Sequence, residues 1–136
     1  ELDGGLTVFR YKKGTLKKIQ ETQVVDTDFK GQIGAADIHI SPNGKFVYAT
    51  NRGTANTISC FEIQKDGHLK SVETIATLGK GPRNFVIDPT GKFLLVAHQY
   101  SNDVVIFKID STTGKLTDSG KRIELCAPVC LVFTKM

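Results

Sequence analysis

The strongest constraint on this chain is an internal repeat. Residues 37–46 (DIHISPNGKF) align with residues 84–93 (NFVIDPTGKF), and the two starting points lie 47 residues apart. The alignment keeps Pro, Gly, Lys and Phe in register, and it continues from residues 60–63 (CFEI) to residues 106–109 (IFKI) with a step of 46. A repeat of this period is typical of solenoids and propellers, in which each unit packs only against its neighbours.

Each repeat unit contains four short segments of β-strand character joined by turn sequences. Ser41-Pro-Asn-Gly44 and Asp88-Pro-Thr-Gly91 both have Pro second and Gly fourth, which favours a type I turn within a hairpin. Four antiparallel strands every ~40–50 residues are typical of β-propeller blades, so we predict an all-β fold with no helix. The predicted strands cover residues 36–40, 45–50, 57–63 and 69–77 in the first unit, and 83–87, 92–97, 104–109 and 116–125 in the second.

The repeat also divides the chain. Residues 127–133 (APVCLVF) align with residues 81–87 (GPRNFVI) as the start of a further unit, whereas residues 7–16 have the pattern of the second half of one. We therefore predict about two and a half blades of four antiparallel strands. A propeller ring needs about four to eight blades, so we expect missing blades of the same ring, or self-association, to cover the apolar faces. The predicted partition is the end of one blade at 1–32, whole blades at 33–78 and 79–126, and the first strand of a closing blade at 127–136.

Composition argues against several classes of protein. The formal charge of +4 comes from lysines scattered through turns rather than from a basic stripe with aromatic residues, so no nucleic-acid partner is expected. No apolar run reaches the ~20 residues that span a bilayer, so no membrane partner is expected either. The three cysteines form no Cys/His ligand pattern and the three histidines share no metal-ligand spacing, so we predict no metal site. Unpaired cysteines favour the cytoplasm, and a periplasmic location stays open because a signal peptide is not observable here.

Candidate functional residues lie at strand ends. In the hairpin of strands one and two, the ends away from the turn lie together on one face, where the central channel of a propeller opens and small ligands usually bind. These ends are polar in both units. An arginine beside the channel could hold a phosphate or carboxylate through two hydrogen bonds, or could simply lie on a surface loop. The candidates at these ends are Arg52, Arg83, His98, Asp37 and Asn51.

Some of these positions have a structural alternative. Asp37 and Asn84 occupy the same repeat position and are both polar, which also fits a shared structural role such as hydrogen bonding to the neighbouring backbone. His98 takes the repeat position of Asn51 and is the better candidate for a titrating histidine at the channel end. His39 alternates with apolar residues within a strand, so we expect it to be buried and hydrogen-bonded between blades.

Four motifs together resemble the propeller-type lactonase family, which includes bacterial 6-phosphogluconolactonases and carboxymuconate lactonising enzymes (cyclases). The motifs are residues 36–45 (ADIHISPNGK), 47–53 (VYATNRG), 81–93 (GPRNFVIDPTGKF) and 127–133 (APVCLVF), and the resemblance covers about residues 6 to 133. It implies a ring of seven blades with this chain as its C-terminal portion.

The resemblance also implies a function. The implied reaction is metal-free and cofactor-free hydrolysis of 6-phosphogluconolactone, a small phosphorylated sugar lactone, to 6-phosphogluconate. An arginine at the end of the family's Tyr-x-x-Asn-Arg motif falls on Arg52, which makes Arg52 the expected catalytic residue. The family's histidine, glutamate and second arginine lie in earlier blades, so we expect this chain alone to be inactive. Two alternatives remain: a non-catalytic propeller that binds a partner, and a carboxymuconate cyclase that forms the lactone.

Overall fold

The computed structural model describes residues 3–134 and shows ten β-strands in three antiparallel sheets. The all-β prediction is confirmed, because the described residues include no helix. Accordingly, residues 3–134 hold no helix with the length and apolar character needed to cross a membrane. The strands are β1 (Gly5–Lys12), β2 (Thr15–Gln23), β3 (Ala35–Ile40), β4 (Phe46–Asn51), β5 (Thr57–Ile63), β6 (Leu69–Ala76), β7 (Pro82–Ile87), β8 (Phe93–His98), β9 (Asp103–Ile109) and β10 (Leu116–Glu124).

Two of the sheets are four-stranded and follow the chain order. We call β3–β6 the first blade and β7–β10 the second blade, and β1–β2 form a separate hairpin. The eight strands predicted for the two repeat units are all observed, each within one residue of its predicted ends. Local turn chemistry and alternating apolar residues were sufficient to locate them.

The first hairpin of each blade shows why the repeat folds this way. Ser41 N donates to Phe46 O at 2.8 Å, and in the second blade Asp88 N donates to Phe93 O at 3.0 Å. The side-chain oxygen of the first turn residue accepts as well, from Phe46 N at 3.0 Å and from Phe93 N at 2.7 Å. Gly44 ends its turn at a φ of +70°, which a residue without a Cβ adopts readily. The same short sequence therefore closes the same hairpin twice.

The hydrophobic core lies between the two blades. The first strands of the blades, β3 and β7, lie beside each other, and the apolar faces of the two sheets pack together. Burial of side chains of this size stabilises a fold by roughly 1.5–3 kcal/mol each, so the two sheets stabilise one another. The buried cluster contains Phe46, Tyr48, Ile58 and Cys60 of the first blade with Phe85, Leu94, Val96, Val105, Phe107 and Leu116 of the second.

One turn of the second blade is fitted closely to the first. The Tyr48 hydroxyl donates to Gly114 O at 2.7 Å, and the Cys60 thiol lies 3.4 Å from the same carbonyl oxygen. A Cβ at position 114 would lie 2.5 Å from the Phe46 ring, so this turn approaches the first blade more closely than any residue but glycine allows.

The β1–β2 hairpin packs against the other side of the first blade. Gln20 exchanges two hydrogen bonds with the backbone of Leu69, at 2.8 and 2.6 Å, and the Ser59 hydroxyl donates to Val24 O at 2.7 Å. The hairpin thus takes the place of a preceding blade, although β1 has a strand partner on one side only within the described part of the chain.

Residues 125–134, after β10, pair with no strand of the described chain. The first strand of a closing blade at 127–136 therefore stays a prediction, and its positions 135 and 136 lie outside the described residues. Single hydrogen bonds hold the segment to the second blade: Ala127 N donates to Asn102 Oδ1 at 2.9 Å and Leu131 N to Asn84 Oδ1 at 2.7 Å.

Candidate functional site

The predicted strand ends meet at one end of the two blades. Ala35 at the start of β3 pairs with Asn51 at the end of β4, and Pro82 at the start of β7 pairs with His98 at the end of β8. Because β3 and β7 lie beside each other, the two sets of ends belong to one face. The sequence therefore located this face correctly, and the individual side chains differ in how far they reach its surface.

Arg52 lines a cavity of about 280 Å³ on this face. Its own backbone is fixed on both sides, because Arg52 N donates to Gly34 O at 2.8 Å and Arg52 O accepts from Asn56 N at 2.9 Å. The side chain is partly exposed, which suits a group that meets a ligand from solvent. The lining residues are Gln32, Ile33, Gly34, Arg52, Gly53 and Tyr100, so the cavity combines one cation with backbone and an aromatic ring.

Gly53 makes the close approach of the two cavity segments possible. A Cβ at this position would lie 1.7 Å from Gln32 O, and its φ of +36° is unfavourable for other residues. Thr54 completes the contact, because its N donates to Gln32 O at 2.9 Å and its hydroxyl accepts from Gln32 N at 3.0 Å. The loop after β4 and the segment before β3 therefore form one closely packed, hydrogen-bonded wall beside Arg52.

Asn51 lies directly beneath this wall. Its side chain has no solvent exposure, and its Oδ1 accepts from Gly34 N at 2.7 Å. Its Nδ2 is buried without a hydrogen-bonding partner among the described residues. The observed contact is structural, since it holds the cavity segment in place. A direct substrate contact by Asn51 stays a prediction.

His98 is buried instead of reaching the channel end. The ring has no solvent exposure and lies against the backbone of Gly79, where a Cβ would be 2.4 Å from the ring. Its Nδ1 lies 3.1 Å from Asp103 Oδ1, without the geometry of a hydrogen bond. Burial lowers the pKa of His98 below its usual 6.5, and the nearby Asp103 opposes that effect. The observed position is structural, and a substrate contact by His98 stays a prediction.

Asp37 connects the two blades. Its Oδ2 accepts from Phe85 N at 3.0 Å and from Asn84 Nδ2 at 2.6 Å, both in β7. Asn84 repeats the arrangement, because its Oδ1 accepts from Leu131 N in the segment after β10. The shared structural role considered for this repeat position, hydrogen bonding to the neighbouring backbone, is confirmed. A ligand contact by Asp37 stays a prediction.

The remaining candidates lie apart from the cavity. Arg83 is exposed in β7 and is not among the residues that line the Arg52 cavity. His39 is 44% exposed, so the expectation of burial is wrong, although its Nε2 lies 3.1 Å from Asp37 Oδ2 and its ring packs edge-on against Phe85. Residues 3–134 contain no group of three His, Cys, Asp or Glu side chains placed to hold a metal ion.

Tyr100 is the residue that sequence reasoning did not single out. It lines the cavity with Arg52, although only its segment was recognised as polar. The available signal was the repeat itself, because Tyr100 aligns with Gly53 at a step of 47 residues and is much larger.

Comparison with known proteins gives a consistent result. The family described as "Lactonase, 7-bladed beta-propeller" matches residues 1–133. A 6-phosphogluconolactonase of Formosa agariphila is 46% identical over 118 residues, which are 85% of this chain and 33% of that protein. The 6-phosphogluconolactonase of Bacillus subtilis is 36% identical over 121 residues, 88% of this chain and 34% of that protein.

A solved structure shows the same arrangement of strands. The periplasmic gluconolactonase of Pseudomonas aeruginosa superimposes with a TM-score of 0.94 at 32% identity, over 99% of this chain and 38% of that one. The chain thus spans about a third of the length of the relatives it matches. Two repeated four-stranded blades, their order and the match over residues 1–133 lead to one conclusion: the chain belongs to the family of seven-bladed β-propeller lactonases.

Proposed function

We propose that this chain contributes part of the active site of a lactonase that hydrolyses 6-phosphogluconolactone to 6-phosphogluconate. The observation that carries the proposal is the Arg52 cavity at the strand-end face, in a chain of the lactonase family. The curated relatives named above are 6-phosphogluconolactonases, which favours lactone opening over the two alternatives, lactone formation and binding without catalysis.

The chemistry requires a cation where negative charge develops. Water adds to the lactone carbonyl carbon and loses a proton to a base, and the carbonyl oxygen becomes an oxyanion. Collapse of this intermediate breaks the bond to the ring oxygen, which takes up a proton and becomes a hydroxyl group. The product is one open-chain molecule that carries both this hydroxyl and the new carboxylic acid. A guanidinium group can stabilise the oxyanion with two N–H donors, or hold the substrate's phosphate in the same way.

Arg52 cannot supply the base. A guanidinium group remains protonated in proteins, so it cannot remove a proton from water. Arg52 is the one charged side chain among the described residues that line the cavity. We therefore assign the base to a part of the seven-bladed ring outside residues 3–134, in line with the family resemblance.

Substitution of Arg52 in the full-length protein tests the proposal. We expect Arg52→Ala to lower kcat/KM for 6-phosphogluconolactone by about 100- to 1000-fold, because it removes a donor to the developing charge. Arg52→Lys should recover only part of the loss, since an ammonium cannot form two parallel hydrogen bonds. The rates are measured as acid release, with spontaneous hydrolysis subtracted.

A second substrate and a matched control sharpen this experiment. Gluconolactone lacks the phosphate, so an equal loss on both substrates indicates oxyanion stabilisation and a loss on the phosphorylated lactone alone indicates phosphate binding. Arg10, on the β1–β2 hairpin, donates from Nη2 to Asp66 O at 3.0 Å and lies away from the cavity. Arg10→Ala should keep the normal rate. A normal rate for Arg52→Ala on both lactones would refute the assigned role.

A further inference from the structure

The Arg52 cavity has an aromatic wall that breaks the repeat. Tyr100 follows β8 where Gly53 follows β4, and Gly81 corresponds to Gly34 in the same alignment. Tyr100 is 65% exposed and nevertheless lines the cavity. Single exposed apolar side chains are common, but cavities that bind small ligands are typically lined by aromatic side chains together with a few placed polar groups.

The ring of Tyr100 is held by the backbone beneath it. Tyr100 N donates to Lys80 O at 3.0 Å. The ring lies directly over Gly81, where a Cβ would be 2.5 Å from Cδ2 and 2.9 Å from Cε2. Gly81 is fixed in turn to the first blade, because its N donates to Asn56 Oδ1 at 2.7 Å. A ring positioned before the ligand arrives loses less conformational entropy on binding.

The first blade cannot provide such a wall. At Gly53 a side chain would collide with Gln32 O, so the glycine is required for the close contact described above. In the second blade, Tyr100 takes the repeat position of Gly53. Its ring fits there because the residue it lies against, Gly81, has no side chain. The cavity is therefore asymmetric, with Arg52 on one side and an aromatic ring on another.

This combination matches the two surfaces of a sugar lactone. The carbonyl oxygen, hydroxyl groups and any phosphate require polar partners, whereas the C–H bonds on one face of the ring form an apolar surface. Aromatic side chains offer a large, rigid area for such contacts. We propose that Tyr100 contacts the substrate directly and packs its ring against the apolar face of the sugar lactone. The carbonyl oxygen or phosphate of the same lactone then meets Arg52. The inference rests on the proposed function.

The test compares three variants of the full-length protein. We expect Tyr100→Ala to raise KM for 6-phosphogluconolactone by about three- to tenfold, with kcat changed less than about twofold, because the ring binds substrate and transition state alike. Tyr100→Phe keeps the ring and should retain the normal KM. Tyr11 is 71% exposed in β1 and does not line the cavity, so Tyr11→Ala is the matched control and should also be normal.

In this kinetic test, two results would overturn the inference. One is a normal KM for Tyr100→Ala with unchanged thermal stability. The other is an equal rise in KM for Tyr100→Phe and Tyr100→Ala, because that would make the hydroxyl group responsible and not the ring.

A binding measurement separates this inference from the proposed function. If the wild-type protein hydrolyses neither lactone, the proposed function fails. Gluconate and 6-phosphogluconate are then titrated by calorimetry as probes of the cavity. Binding that weakens in Tyr100→Ala and persists in Tyr100→Phe still supports the ring contact, whereas no binding of either probe to the wild-type protein overturns it.

Discussion

Among single residues, His98 shows how burial changes the meaning of a sequence position. The repeat alignment identified the right end of the blade, because His98 pairs with Pro82 as Asn51 pairs with Ala35. It could not show that the ring turns inward against Gly79, since that contact depends on a loop between the blades. The structural role of Asp37, in contrast, was among the possibilities that the repeat suggested.

The buried imidazole predicts a pH-dependent stability. The folded-state pKa of His98 lies below 6.5, so the unfolded chain binds a proton at higher pH than the folded chain does. The free energy of unfolding should therefore fall as the pH drops below about 6.5, until the folded-state pKa is passed. His98→Asn, which introduces the residue found at position 51, should flatten this part of the profile.

Urea unfolding between about pH 7 and about pH 5 measures this difference. Thr112→Ala is the control, because Thr112 is exposed in the turn between β9 and β10 and carries no titratable group. Thr112→Ala should keep the wild-type profile. An unchanged slope in His98→Asn would show that the buried ring does not account for the acid sensitivity.

Among elements, the sequence predicted the position of a strand wherever an adjacent turn sequence marks its end. The eight strands of the two blades follow from alternating apolar residues and from glycine-containing turns, two of which are Pro-x-Gly, and these are local signals. Residues 127–133 carry the same signal, but a strand also needs a hydrogen-bonded neighbour, and the described chain offers none to that segment. The Arg52 cavity could be predicted only as a region, because it depends on how the segment before β3 meets the loop after β4.

The close contact between the segment before β3 and the loop after β4 depends on Gly53. Gly53→Ala should push the Gln32 carbonyl away and break the hydrogen bond from Thr54 N. We expect its free energy of unfolding to fall about 1–3 kcal/mol further than that of Gly44→Ala, because overpacking adds to the cost of a positive φ. Urea unfolding measures both variants.

Gly44→Ala is the control for Gly53→Ala, because both glycines have a positive φ and only Gly53 is closely packed. Gly44 also has a positive φ, of +70°, but nothing lies within 4 Å of a Cβ built on it. Equal midpoints for the two variants would mean that the cavity segment moves aside without cost. Lactone hydrolysis should be lost in Gly53→Ala alone, because Arg52 N donates to the displaced segment.

At the scale of the whole molecule, the two blades are held by an apolar core and by polar contacts at its edges. Asp37 joins β3 to β7, and Tyr48 joins β4 to the β9–β10 turn. Apolar surface remains uncovered beside β1, where a cavity of about 290 Å³ is lined by side chains that include Phe9, Ile38 and Ile40. The family's seven-bladed ring supports our expectation that further blades cover such surfaces.

The Asp37 contact predicts how easily the blades separate. Cys60 is 1% exposed within the core, and burial raises the pKa of its thiol to about 12, whereas Cys126 and Cys130 are exposed. A thiol reagent should therefore label two cysteines quickly and Cys60 only after opening. Asp37→Ala leaves the buried Phe85 N without its acceptor, so we expect Cys60 labelling to be about tenfold faster.

Asp28 provides the control for this experiment. It is exposed in the loop between β2 and β3, outside the contact between the blades. Asp28→Ala should leave all three labelling rates unchanged. If Cys60 reacts at the wild-type rate in Asp37→Ala, the carboxylate does not restrain the opening of the core.

The contact made by Asp37 repeats at Asn84, and this has a consequence for how such a protein can change over evolutionary time. The second blade carries both parts of this contact: the acceptor Asn84 and, one residue later, the Phe85 N–H that donates to Asp37 of the first blade. A tandem duplication of that blade would therefore copy the acceptor and the donor together. We expect such a copy to dock on its neighbour through hydrogen bonds that it already encodes.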